Sequence, residues 1–231
     1  MAKRHWRKEQ GKDRFFRKAK EEGYRARSAY KLAGINRKFR VIRPGYRVLD
    51  IGAAPGSWSQ LAREIVGEEG HVVAVDLQTM QPLAGVASIQ GDIRESKVLE
   101  RIREAIGGQS FDVVISDIAP KTTGVAITDH ARSVELSLWA LAVALRLLRN
   151  GGNFVTKVFM GEDFDDLLAL TRRFFRRATT FDPEATRKES KETFIVATHL
   201  HARALLDPDR GLSALLAIQT EDGGREIADI D

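Results

Sequence analysis

From about residue 47 onward the chain alternates between two hydrophobic rhythms. Short apolar runs bounded by turn residues read as buried strands, and stretches with apolar positions three and four apart read as amphipathic helices. The runs RVLDI at 47–51, HVVAVDL at 71–77 and FDVVIS at 111–116 predict strands, with a weak one at 86–90 and others at 153–159, 178–181 and 193–200. Helical spacing predicts helices over 28–39, 58–66, 98–106, 130–148 and 164–175. Ser28 is placed to cap the first of these, and Pro44-Gly45 ends the segment after it. Asn150-Gly151-Gly152 is expected to close the long helix. Strands alternating with helices predict an α/β fold: a doubly wound, mostly parallel, seven-stranded sheet with helices on both faces. No repeat or low-complexity tract interrupts the alternation, and 231 residues suit one domain.

Charge divides the chain differently. The net charge is +5, but residues 1–47 hold 17 Lys and Arg against 4 Asp and Glu, so the remainder is acidic. Cations such as Lys3, Arg7, Lys12, Arg17, Arg25 and Arg27 are interleaved with Trp6, Phe15, Phe16 and Tyr24. Clustered cations attract a polyanion and release its counterions, and aromatics can stack on bases. Residues 1–27 therefore read as a basic nucleic-acid-binding arm. The alternative is a solvated basic helix whose Phe15 and Phe16 pack on the core. A second set, Arg172, Arg173, Arg176 and Arg177, fits either an RNA-backbone contact or cations placed at a helix C-terminus. Residues 201–231 form an acidic tail whose Leu205, Leu206, Leu212, Leu215 and Leu216 either make one docked helix or fray.

The lack of cysteine excludes disulfides, thiolate metal sites and a cysteine nucleophile. The five histidines have no ligand spacing, so no metal is expected. No apolar run has membrane-spanning length or the form of a signal peptide, and Glu9 and Asp13 interrupt the basic start. The expectation is a cytoplasmic protein without membrane contact.

The candidate chemistry begins where the first strand runs into Asp50-Ile-Gly52-Ala-Ala-Pro55-Gly56-Ser57-Trp58. A glycine-rich turn between strand and helix lets backbone approach a ligand and points helix N–H groups at it. The spacing is not that of a pyrophosphate-binding loop. Asp76 ends the second strand, where a carboxylate can accept from two ribose hydroxyls. Asp92 follows the weak third strand, where it can accept from an adenine amino group. An adenosine-containing cofactor without pyrophosphate points to S-adenosylmethionine. The plainer reading makes Gly52 and Gly56 turn residues, Asp76 a strand-end cap and Asp92 a turn residue.

Four further charges stand at element ends. Asp117 follows the 111–116 strand, Lys157 lies among apolar neighbours in the next strand, Glu192 opens the last strand, and Lys31 sits on the early helix. A lysine in so apolar a strand must be paired or lose its charge. One reading is an active site at the carboxyl ends of the strands; the other is a Lys157–Asp117 pair that only fixes the sheet, with Lys31 and Glu192 on the surface.

Tyr24-Arg-Ala-Arg-Ser-Ala-Tyr-Lys31-Leu, Val48-Leu-Asp-Ile-Gly-Ala-Ala-Pro-Gly-Ser-Trp-Ser59 and Ser116-Asp-Ile-Ala-Pro120 occur here in order. They are followed by Asp129-His-Ala-Arg-Ser-Val-Glu-Leu136, Lys157-Val-Phe-Met-Gly-Glu-Asp-Phe164 and Ser190-Lys-Glu-Thr-Phe194. This series, across roughly residues 12–200, closely resembles the FtsJ/RrmJ family of S-adenosylmethionine-dependent RNA ribose 2′-O-methyltransferases. The resemblance implies a Rossmann-like methyltransferase domain over 28–200. It implies a Lys–Asp–Lys–Glu tetrad at Lys31, Asp117, Lys157 and Glu192, and cofactor contacts at Gly56, Trp58, Asp76, Asp92 and Asp117. It also implies a uridine of 23S ribosomal RNA, in the large subunit, as target. Ala185-Thr186-Arg187 lacks a serine common before the arginine, and Thr193 replaces a common tyrosine. Neither touches the tetrad. A tRNA 2′-O-methyltransferase uses the same four residues; a non-catalytic ribosome-assembly factor or a nucleotide-dependent oxidoreductase would not need them. A monomer is expected.

Overall fold

The structure, a computed structural model, describes residues 14–187 and 190–201. The cations before Arg14 and the acidic tail from residue 202 lie outside the described residues. In chain order the elements are α1 (Arg14–Glu21), α2 (Ala29–Phe39), β1 (Arg47–Ile51), α3 (Ser57–Val66), β2 (His71–Asp76), β3 (Val86–Gln90) and α4 (Ser96–Glu104). They continue with β4 (Phe111–Ser116), α5 (Ala126–Leu147), β5 (Leu148–Phe159), α6 (Phe164–Phe174), β6 (Phe175–Phe181) and β7 (Glu192–Leu200). Among the described residues no helix is long and apolar enough to cross a membrane.

The seven strands lie in the order β3-β2-β1-β4-β5-β7-β6. Pairing is parallel from β3 through β5, and β7 runs antiparallel to both β5 and β6. Side chains alternate across each strand, so the two faces build two cores. Val48, Val113, Val155 and Phe194 meet α2 and α3 through Leu32, Ile35, Trp58 and Ala62. Leu49, Val114, Phe154 and Ile195 meet α4, α5 and α6 through residues such as Ile102, Leu141 and Phe174. The chain leaves β1 toward β2 and β3, then returns to place β4 on its other side. That reversal opens a crevice beyond the carboxyl ends of β1 and β4.

The predicted 86–90 and 111–116 strands coincide with β3 and β4. The weak pattern of β3 reflects its edge position, where only Ile89 is buried. The long helix ends earlier than expected: α5 stops at Leu147, and β5 starts directly at Leu148. Asn150-Gly151-Gly152 is therefore not a helix closure but lies inside the strand, where the register against β4 shifts and Gly151 takes φ +77°. Ser28 stands at the start of α2 but does not cap it through its side chain. Its Oγ is engaged 2.7 Å from Ser57 Oγ instead.

Candidate active site

The glycine-rich turn lies between β1 and α3. Gly52 has φ +72°, and a Cβ there would stand 2.7 Å from Ile118 Cα, so this turn passes against the chain leaving β4. The Ala54–Pro55 peptide is cis. Asp76, at the end of β2, accepts from the Ala54 amide at 3.0 Å and from the Gln78 amide at 2.7 Å. One carboxylate thus ties the turn after β1 to the turn after β2. Asp92 accepts a fork from Arg94, with Nε 3.0 Å from both oxygens and Nη2 2.5 Å from Oδ2. The Arg94 guanidinium holds the Asp92 carboxyl below the usual carboxylate range.

Between these turns lies a cavity of about 600 Å³ whose wall includes Gly52, Asp76, Asp92, Asp117, Ile118 and Trp139. A space of this size and polarity suits an adenosine-sized ligand. Four of the residues predicted to hold the cofactor meet in it. Gly56 and Trp58 do not line it. Gly56 begins α3 with φ +108°, and Trp58 is buried in the opposite core, donating Nε1 to Ser28 O at 2.8 Å. The expectation of a cofactor contact at Trp58 comes from the family resemblance alone; the structure places its ring in the core beside α2.

The four charges occur as two ion pairs. Lys157 is 8% exposed; its Nζ lies 2.8 Å from Asp117 Oδ1 and 2.7 Å from Asp117 O. Lys31 Nζ pairs with Glu192 Oε1 and lies 5.9 Å from the Phe194 ring centroid. Lys157 is paired with Phe194 across β5 and β7, and Phe159 with Glu192, which puts Lys157 and Glu192 on one face of the sheet. Lys31 and Glu192 are nearly buried, not surface charges. Asp117 belongs to both arrangements: its carboxylate holds Lys157, and the residue lines the cavity.

Three residues that sequence reasoning did not place in the site support the end of β5 that carries Lys157. Strand β4 stops at Ser116, opposite Thr156, so residues 157–159 of β5 have no strand on that side. Helix α5 supplies the hydrogen bonds instead. Ser137 Oγ donates to Lys157 O at 2.8 Å, and Ser133 Oγ accepts from the Phe159 amide at 2.8 Å. The third is His130, which the sequence suggested only as a structural hydrogen-bonding residue. Its Nε2 accepts from the Asp163 amide at 3.1 Å, which assigns the proton to Nδ1, 2.9 Å from Phe159 O. The spacing 130, 133, 137 marks one helix face, and two of the three lie in the Asp129–Leu136 motif that carries the resemblance.

Beneath the site Asp50 is fully buried. One oxygen accepts from Ser59 Oγ at 2.6 Å, and the other has no hydrogen-bond partner among the described residues. Burial, reinforced by the negative charges of Asp117 and Asp76, pushes its carboxyl up to about 7 against the Ser59 hydrogen bond.

The described part of the basic arm is docked rather than detached. Phe15 lies tilted against Tyr30 with centroids 5.5 Å apart, Ala19 is buried, and Tyr24 Oη donates to Glu64 at 2.6 Å. Phe16 is exposed. Arg172 donates to Ala178 O at 3.2 Å, and Arg176 and Arg177 are exposed on β6.

A doubly wound sheet, with a carboxylate-lined cavity at its switch point and a buried lysine at the cavity edge, defines an α/β enzyme that takes a nucleoside-bearing ligand. The chain belongs to the FtsJ-like methyltransferase family, which it matches over residues 24–200. It is 54% identical to the Ribosomal RNA large subunit methyltransferase E of Methanothrix thermoacetophila over 189 residues, which cover 82% of this chain and 73% of that one. A Plasmodium falciparum protein described as a ribosomal RNA methyltransferase has a similar crystal structure, with TM-score 0.70 and 28% identity over 77% of this chain and 98% of its own. The fold is shared more distantly with Aeropyrum pernix fibrillarin, solved with natively bound S-adenosylmethionine, at TM-score 0.51 and 17% identity over 74% and 76% of the two chains.

Proposed function

We propose that the protein methylates a ribose 2′-hydroxyl, on a uridine of 23S ribosomal RNA, using S-adenosylmethionine. One observation carries the reading: Asp117 both lines the cavity and holds Lys157 Nζ, so the cavity's contents and the lysine meet at one residue. The cavity residues fit the cofactor. Asp76 retains free lone pairs for ribose hydroxyls, and Asp92 can accept from an adenine amino group. When bound, the cofactor supplies an activated methyl group on a sulfonium.

The chain's own part is to position and deprotonate. An uncharged lysine amine has two N–H groups and one lone pair. Two donors directed at Asp117 O and Oδ1 leave the lone pair to receive the proton of a ribose hydroxyl. A charged Lys157 has a third N–H instead, which steers the hydroxyl oxygen without taking its proton. Lys31 and Glu192, on the same face, complete the wall on the RNA side. Holding both reactants at attack distance contributes alongside this proton transfer. The basic N-terminal region and the exposed Arg176 and Arg177 contact RNA phosphates. The protein acts in the cytoplasm as a monomer.

The test is methyl transfer from radiolabelled S-adenosylmethionine to large ribosomal subunits, naked large-subunit RNA and bulk tRNA, with the modified nucleotide mapped. Label at a ribose 2′-oxygen of the ribosomal substrate is expected. Label on tRNA alone would reassign the target, and no label with measurable cofactor binding would reject the enzyme reading in favour of an assembly factor.

A further inference from the structure

Arg25 counts among the cations of the basic region, yet its guanidinium is turned inward to main-chain carbonyls. Nη1 donates to Pro55 O at 2.9 Å and to Gln81 O at 2.7 Å, and Nη2 donates to Pro82 O at 2.8 Å. Pro55 belongs to the turn after β1; Gln81 and Pro82 belong to the segment after β2. Both segments wall the cavity, through Gly52 and Ala54 on one side and Leu77 and Gln78 on the other. Asp76 ties them together from inside, by its bonds to the Ala54 and Gln78 amides. Arg25 ties them from outside.

The fit around the clamp is close. A Cβ on Gly56 would lie 2.9 Å from Arg25 Nη1 and 2.7 Å from Met80 Sδ, so the second segment and the arginine close directly over the Gly56 backbone. The arginine is itself fixed from behind. Its amide donates to Gln60 Oε1 at 2.8 Å, and Gln60 Nε2 donates to Gly23 O at 3.1 Å. The rigid fork of a guanidinium can bridge three carbonyls on two segments; the single ammonium of lysine cannot reproduce that geometry.

We infer that Arg25 is a positioning residue for the cofactor cavity, holding its two backbone walls at their binding separation, and is not an RNA-phosphate contact. The inference rests on the cavity being the S-adenosylmethionine site. The test compares wild type, Arg25→Lys and Arg25→Met, each titrated with S-adenosylhomocysteine well below the melting temperature. Separately, each is titrated with a large-subunit RNA transcript across a range of salt. The expected result is a cofactor Kd raised about tenfold or more. RNA affinity and its salt slope should stay unchanged, and activity should be restored at saturating S-adenosylmethionine.

A phosphate contact predicts the reverse, with weaker RNA binding, a salt slope shallower by about one and an unmoved cofactor Kd, and would overturn the inference. A purely structural role predicts a lower melting temperature with unmoved cofactor Kd, and would also overturn it. If both arginine variants fail to fold, Gln60→Ala decides. It loosens the segment without removing the guanidinium, and an unchanged cofactor Kd in it refutes the clamp. Asp76→Ala separates the two failures. Loss of cofactor binding there, with none in Arg25→Lys, refutes the clamp alone; binding unchanged in both refutes the cavity assignment and the clamp with it.

Discussion

At the scale of single residues, the site rests on two carboxylates in opposite circumstances. Asp117 is bonded to Lys157 at the cavity edge, whereas Asp50 is buried with one oxygen unpartnered. Replacing Lys157 by Ala removes the proposed proton acceptor while leaving the cavity wall in place. Methyl transfer should fall by at least about 10²-fold. Cofactor and RNA affinities measured by titration should be retained, and near-wild-type turnover would refute the assignment. Asp50 makes a prediction about pH. Its folded pKa, about 7, is raised above the unfolded value, so the folded state binds the proton more tightly. The contribution of Asp50 to wild-type stability therefore declines as pH rises from about 4 to about 7, with a limiting slope of roughly 1.4 kcal/mol per pH unit, and is level above that window. Asp50→Asn lacks this titration. The difference between variant and wild-type unfolding free energies should shift in the variant's favour across the window; a pH-independent difference would show that Asp50 titrates normally.

At the scale of elements, α5 does work that its apolar rhythm conceals. Helix and strand share the burden of holding Lys157, because β4 is too short to pair with residues 157–159 of β5. Ser137 reaches the Lys157 carbonyl and Ser133 the Phe159 amide. Ser137→Ala should cost about 1 kcal/mol in unfolding free energy. It should also lower kcat with little change in cofactor Kd, because it displaces the lysine's backbone and not the cavity. The elements themselves were largely legible from apolar run lengths, and β3 and β4 coincide with their predicted spans. The α5–β5 junction was not legible. Gly151 carries the signature of a helix end, yet it serves an irregular strand whose register shifts against β4. Glycine marks an unusual φ without saying which element needs it.

At the scale of the whole molecule, the basic start of the chain is separate in sequence from the cavity residues. Lys3, Arg4, Arg7, Lys8 and Lys12 precede the described domain, whose cavity is of mixed charge, with Asp76, Asp92, Asp117 and Glu135 beside Arg94, Lys121 and Arg132. Deleting residues 1–13 should weaken RNA binding and flatten its dependence on salt, by up to roughly one unit of log–log slope per lost phosphate contact, and leave S-adenosylhomocysteine affinity unchanged. Unaltered RNA binding would place recognition elsewhere on the surface.

The order of strands and helices, the glycine-rich turn after β1 and the four charges near element ends could all be read along the chain. These are matters of local pattern: apolar period, glycine at a forced turn, and a lysine stranded among apolar neighbours. The resemblance to a family then named their roles. The tertiary structure decided that Lys31 and Glu192 pair with each other, which no reading of the sequence offers, whereas the Lys157–Asp117 pair is already one such reading. Lys31 meets Glu192 because α2 packs over the face that β5 and β7 present together, and Lys157 meets Asp117 because they follow Thr156 and Ser116 on the adjacent strands β5 and β4. It also decided that Trp58 is core and that Arg25 faces backbone carbonyls rather than solvent. Composition assigns a side chain its charge and bulk; the partner that satisfies them comes from whichever distant segment the sheet brings alongside.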